Sequence, residues 1–322
     1  MHFFNGQSSR RLGLLAAVIT VVIWTSFIVI ARASSQASLT SLDLGWARVV
    51  GAGLVLLPVG KWLTRQGGES SFFGLSPLSF HVTAVCGLFG GAGYAALVYS
   101  GFFYAPAAHA SVLLPGSLPL WTALLATLFI GEQISRTRWM GLAFILAGGG
   151  LVGGSSLLSA FEGGQIWKGD LLFMLASFSW SSYAVLARRY AVDPVRATVA
   201  ITVFAVFTFV PAYAILVALG LLQSKLVSAP IGELMFQMAY QGLGTVVIAG
   251  VAFTQMVRHY GAVRTTMITA LVPGLSALGA VLFLGEPLHW HLLAGLLLVT
   301  IGILFGVRQR TPSPSLAPAQ NS

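Results

Sequence analysis

Trp24 and Trp180 stand in stretches that match under a shift of 156 residues, "GLLAAVITVVIWTSFIVIAR" (Gly13–Arg32) and "GDLLFMLASFSWSSYAVLAR" (Gly169–Arg188). Both lie deep in apolar runs. Trp24 follows Arg11 by 13 residues, roughly 20 Å along a helix that rises about 1.5 Å per residue. Tryptophan ordinarily anchors at a membrane interface. A pair at depth suits flat apolar walls on which a substrate ring or chain packs, or plain packing between helices. Beside them, Thr25 and Ser26 match Ser181 and Ser182. These hydroxyls could bond a solute or their own helix carbonyls.

Arg48 is the boldest polar group. It stands two turns into "DLGWARVVGAGLVLLP", and its counterpart is the uncharged Phe204. A charge in hydrocarbon costs about 2.5–3.5 kcal/mol and marks a functional site by default. Its planar guanidinium suits a substrate carboxylate or phosphate. Snorkelling to the interface, or pairing with Asp43 five residues earlier, are the alternatives. Tyr94, Tyr99, Gln241 and Gln255 add further polar groups inside apolar runs. Gln241 matches Gly87 and Gln255 matches Gly101, so the two halves are chemically unequal, as a non-symmetric solute requires. With Tyr183, the candidate substrate-binding set is Trp24, Ser26, Arg48, Tyr94, Tyr99, Trp180, Tyr183, Gln241 and Gln255. His109 is read as a satisfied core histidine.

Metal and catalytic chemistry find little here. "HWH" (His289–His291) beside Glu286 is the one metal-like cluster, but His-x-His on a helix sends its side chains about 200° apart. No HExxH, phosphate loop, nucleophile triad or embedded Asp pair occurs. No cofactor, metal site or catalytic residue is expected. Cys86 is the single cysteine, which excludes an intramolecular disulfide.

The elements that position these residues must be membrane helices. Of 322 residues, 57% are hydrophobic and 8% charged, against about 25% charged in soluble domains; mean hydropathy is +0.87. Ten apolar stretches reach the roughly 20 residues needed to span: 11–32, 42–61, 79–100, 104–129, 137–157, 169–189, 197–221, 232–256, 263–285 and 289–307. The uncharged tract 70–131 is divided at "GFFYAPAA" (Gly101–Ala108). "SRRLGLL" (Ser9–Leu15) looks like a twin-arginine signal. The run that follows is long for one and is repeated later in the chain, so it is read as a retained span.

The net charge of +9 is a topology signal. Arg10, Arg11, Lys61, Arg65, Arg136, Arg138, Arg188, Arg189, Arg196, Arg258, Arg264, Arg308 and Arg310 all fall on one side, against Arg32, Lys168 and Lys225 on the other. The positive-inside rule puts both termini in the cytoplasm, and no nucleic-acid partner is expected. The expected partners are the lipid bilayer and a small-molecule substrate.

A shift of 154 carries Pro119, Gly131, Glu132 and Gly141 onto Pro273, Gly285, Glu286 and Gly295. Each half then holds five spans, and an odd number inverts the second copy. The expected fold is an all-α integral membrane protein of ten transmembrane helices in two inverted five-helix repeats. Residues 1–10 form a cytoplasmic N-terminus, 11–157 repeat one, 158–168 an external linker, 169–307 repeat two, and 308–322 a disordered cytoplasmic tail. In each Gly-Glu pair, Gly ends the fourth helix and Glu caps the short turn that follows. Pro115, Pro119 and Pro273 are read as interruptions where the fourth helices bend. Gly87/Gly91, Gly149/Gly153 and Gly302/Gly306 have spacing for close helix contact, read as internal packing, with a homodimer left open.

Two five-span halves, each with Trp in its first helix and Gly-Glu closing its fourth, resemble the drug/metabolite transporter superfamily, specifically its EamA-type members, over Arg11–Gly306. The resemblance implies a basket of helices around a central cavity that opens alternately to each side, and export of a small metabolite, amino acid or amphipathic compound across a cell membrane (the inner membrane in a bacterium). A membrane-embedded enzyme and a non-transporting scaffold are the competing classes. The superfamily also carries sugar phosphates, nucleotide sugars and amino acids, so fold alone does not select the substrate.

Overall fold

Helix starts and stops follow local chemistry. The structure, a computed structural model, describes residues 3–160, 163–269, 271–287 and 289–307; the expected tail, with Arg308 and Arg310, lies outside them. The helices are α1 (Phe3–Ser35), α2 (Ser41–Arg65), α3 (Phe80–Tyr104), α4 (Ala107–Ile130), α5 (Arg136–Ala160), α6 (Ile166–Arg189), α7 (Pro194–Ala218), α8 (Ile231–Tyr260), α9 (Ala262–Leu284) and α10 (Trp290–Val307). Thr40 and Asp43 start α2 with a reciprocal capping box. Asp193 accepts the Val195 and Arg196 N–H groups ahead of Pro194 to start α7. Between α3 and α4 the chain turns at Ala105–Pro106, inside the segment where the uncharged tract was divided.

Eight of these helices are long and apolar enough to cross a membrane, and α10 carries a shorter apolar run, Trp290–Phe305. Among the described residues there is no strand beyond one isolated bridge, Ser71 to Ser76. Their outward faces are oily. On α9, Leu271, Leu275, Leu278 and Leu282 are all exposed, a stripe at helical spacing that only lipid can solvate.

Glycines set the closest approaches. A Cβ on Gly87 would lie 2.3 Å from Phe204, and one on Gly91 2.7 Å from the Ile201 carbonyl, so both press α3 onto α7. A Cβ on Gly148 would meet the Gly295 carbonyl at 2.6 Å, and one on Gly302 the Gly141 carbonyl at 2.4 Å; these seal α5 against α10. Of the expected pair Gly149/Gly153, Gly149 is not at the contact: a Cβ there would have only ordinary contact with Leu113. The register is one residue earlier, at Gly148. The side-chain surroundings of Gly153 and Gly306 lie outside the description.

Two helices loosen into wider π turns, Leu88–Ala92 within α3 and Met238–Ile248 within α8. The 154-residue shift lays the first inside the second. Such turns re-aim side chains and occur often at functional sites.

Candidate functional site

The two tryptophans meet. Their ring centroids lie 5.8 Å apart, edge to face. Phe253 of α8 stacks on Trp24 at 5.0 Å and lies 5.4 Å from Trp180. Tyr94 of α3 lies 4.8 Å from Trp180. Edge-on and tilted rings at these spacings suit the aromatic quadrupole.

This aromatic cluster borders a central cavity lined by Trp24, Phe27, Ile28, Arg48, Tyr94, Leu114, Pro115, Leu118, Trp180, Thr245 and Val272. Seven helices contribute. The open space is about 30 Å³, far below the ~300 Å³ and upward of a ligand pocket. The walls are therefore drawn together.

Arg48 is 6% exposed and turned into this space. One guanidinium nitrogen donates to Thr245 Oγ1 at 2.5 Å. The guanidinium carbon sits 5.9 Å from the Phe27 centroid and 5.6 Å from that of Tyr94, within cation–π range. No carboxylate among the described residues pairs with it. The Asp43 alternative fails because that carboxylate is committed elsewhere: it accepts the Thr40 N–H, the Tyr213 hydroxyl and the Lys225 N–H. Snorkelling fails because the head is buried.

Other candidates divide. Tyr99 and Gln241 belong to a bonded chain joining α3, α8 and α1: Tyr99 donates to Gln241 Oε1 (2.9 Å), Gln241 to Gln237 Oε1 (3.2 Å), and Gln237 to Ser34 Oγ (2.7 Å). Their side chains lie off the lining, and the Gln241 backbone carbonyl accepts from Thr245 Oγ1 at 2.6 Å. Tyr183 backs Trp180 at 5.2 Å and shares a 2.8 Å bond with Thr254. Ser26 bonds its own helix at Val22 and accepts from Tyr240 at 2.6 Å. It borders a separate, lipid-side groove between α1 and α9. Gln255 is half-buried on α8 and not on the lining. His109 bonds Asp170 at 2.9 Å, a satisfied core histidine.

Three local readings change. The break in α4 falls at Leu114–Ser117, with Pro115 on the cavity wall, while Pro119 is the second residue of the following segment. Pro273 likewise sits in the first turn of Leu271–Leu284. A proline there loses an N–H that had no intrahelical partner, so Pro119 and Pro273 start segments rather than interrupt them. His289 precedes α10, which frees its ring to stack on His291 at 5.4 Å; helical spacing does not apply. Among the described residues no three His, Cys, Asp or Glu side chains converge as metal ligands. Third, the Gly-Glu pairs part company. Gly131 and Gly285 end their helices in the left-handed region (φ 72° and 67°), as expected. Glu286, however, caps a distant helix: it accepts from the Ala107 and Ala108 N–H groups at 3.1 and 3.0 Å and pairs Arg32 at 3.3 Å.

Phe27, Thr245 and Phe253 were missed. Phe27 follows Trp24 by one turn and Thr245 follows Gln241 by four residues; that spacing was the available signal. Phe253 carried none.

Comparison with known proteins accords with this geometry. The EamA-like transporter family matches twice, at residues 11–153 and 167–308. The chain is 25% identical over 269 residues to the uncharacterized transporter YyaM of Bacillus subtilis (strain 168), covering 82% of this chain and 83% of that protein. It is 30% identical over 198 residues to the uncharacterized transporter YdfC of the same organism, covering 59% of each. A solved crystal structure of an unspecified protein superposes with a TM-score of 0.57 at 21% identity, over 91% of this chain and 95% of that one, a likeness of fold alone. Its doubled match, apolar helices and central aromatic cavity make this chain a multi-pass membrane transporter of the EamA-like transporter family, within the drug/metabolite transporter superfamily.

Proposed function

We propose that the protein is a secondary transporter that exports a small metabolite, amino acid or amphipathic compound by alternating access. In this reading residues 11–157 and 169–307 are inverted five-helix repeats joined by a linker, 158–168, with ten spans once α5 and α10 are counted. Residues 1–10 and 308–322 are then cytoplasmic. Support comes from the charge distribution, and from features that recur under the repeat shift: the π turns of α3 and α8, and the breaks at Leu114–Ser117 and at Thr269.

One observation carries the site: Trp24 and Trp180, from matching helices, meet at 5.8 Å beside a buried Arg48 that has no counter-anion among the described residues. Apolar ring faces beside an unneutralised guanidinium favour a solute with an apolar body and a single anionic group. The contracted cavity must widen to admit it.

The test is solute flux from proteoliposomes. Wild-type flux should saturate, and Trp180→Ala or Arg48→Ala should lower it by about tenfold or more while the protein stays folded. Chemical turnover without translocation would favour the embedded enzyme instead.

A further inference from the structure

The two Gly-Glu sites match in sequence yet differ in what they hold. At one end, Glu286 ties three helices together: its carboxylate accepts from Ala107 and Ala108 at the start of α4 and pairs Arg32 of α1. Arg32 also donates to the Phe102 carbonyl at 2.7 Å, which adds the end of α3. The Glu286 side chain is 14% exposed. Partial burial strengthens charge-assisted bonds.

At the other end the same parts are not paired with one another among the described residues. Glu132 is the repeat counterpart of Glu286, and Arg188 that of Arg32. Glu132 is 41% exposed and, among the described residues, pairs only Arg138, six residues along its own chain, at 3.0 Å. Arg188 is exposed at the end of α6 and makes no ion pair among the described residues. Pieces that form a three-helix clasp in one half are thus present, and unclasped, in the other.

We propose that Glu132 and Arg188 form the matching clasp in the opposite state of the transporter, with Glu132 leaving Arg138 to bridge α6 and the start of α9 as Glu286 bridges α1 and the start of α4. The inference rests on the alternating reading above. Each clasp then stabilises closure of its own end. Because the repeats rock as units, closing one end opens the other, and each clasp biases the whole equilibrium. Glu132, Arg188, Arg32 and Glu286 are positioning residues of the cycle, not substrate contacts.

The experiment uses spin-label pairs at exposed sites on the full chain in lipid nanodiscs, in a Cys86→Ala background. Ala33→Cys with Pro287→Cys reports the Glu286 end, and Gln133→Cys with Arg189→Cys the Glu132 end; all four positions are exposed. Glu286→Gln should cut the short-distance population at its own end by about tenfold and raise the short-distance population at the other. Glu132→Gln and Arg188→Gln should do the reverse. Arg188→Gln is the decisive variant, because the exposed Arg188 side chain makes no ion pair among the described residues in the present state. If Glu286→Gln moves both ends but Arg188→Gln moves neither, this clasp is wrong and rocking stands. If Glu286→Gln loosens only its own end, the alternating reading falls as well.

Discussion

Arg48 on α2 donates a 2.5 Å hydrogen bond to Thr245 on α8 and meets no carboxylate among the described residues. A buried cation held by the Thr245 hydroxyl and two ring faces comes near to breaking even for the fold. Insertion of the charge costs about 2.5–3.5 kcal/mol, against about 1.5–3 kcal/mol for a charged hydrogen bond and about 0.5–2 kcal/mol for each cation–π contact. Arg48→Leu should therefore move the thermal unfolding midpoint little while lowering flux. A midpoint that drops by many degrees would recast Arg48 as a structural strut.

Asp43 should behave oppositely. It accepts from Thr40, Tyr213 and Lys225 and is fully buried, but it is not on the cavity lining. Asp43→Ala leaves those donors unsatisfied and should destabilise by about 2–4 kcal/mol. Transport per folded molecule should keep its apparent KM, which separates this site from Arg48.

Three glycines give graded outcomes under substitution by alanine. Gly285 has φ 67° with open space around it, so the cost is backbone strain of about 1–2 kcal/mol. At Gly302 the new Cβ would lie 2.4 Å from the Gly141 carbonyl; α5 and α10 must separate, at about 1–3 kcal/mol or more. Gly150 is helical with nothing near its Cβ position, and alanine there should stabilise by up to about 1 kcal/mol. Detergent unfolding curves rank the three.

Pro115 and Pro119 should also separate. Pro115 lies in the break of α4 and on the cavity wall, whereas Pro119 sits in a first helical turn. Pro115→Ala restores an N–H that lets the helix run on, and should slow flux by roughly tenfold if bending there gates the cavity. Pro119→Ala should change flux less than about twofold. Equal effects would move the gate elsewhere.

Much of this was legible in the residues. Runs of about 20 apolar residues between charges locate helices because lipid leaves the backbone no other partner, and α1, α2, α6 and α7 fall where the runs predict. The pairing of Trp24 with Trp180 followed from their place in matching segments. Hidden from sequence were direction and reach. Tyr99 and Gln241 looked like substrate ligands, yet they satisfy each other, because a π turn decides which way a side chain on α8 points. Glu286 looked local and instead caps α4, because a carboxylate seeks the nearest unsatisfied N–H groups, and only the assembled bundle brings those of Ala107 and Ala108 within 3.1 Å. Hydrophobic length and repetition are properties of the chain and can be read along it. Which buried charge goes without a counter-ion among the described residues is a property of packing, and tertiary structure alone decided that Arg48 would be one.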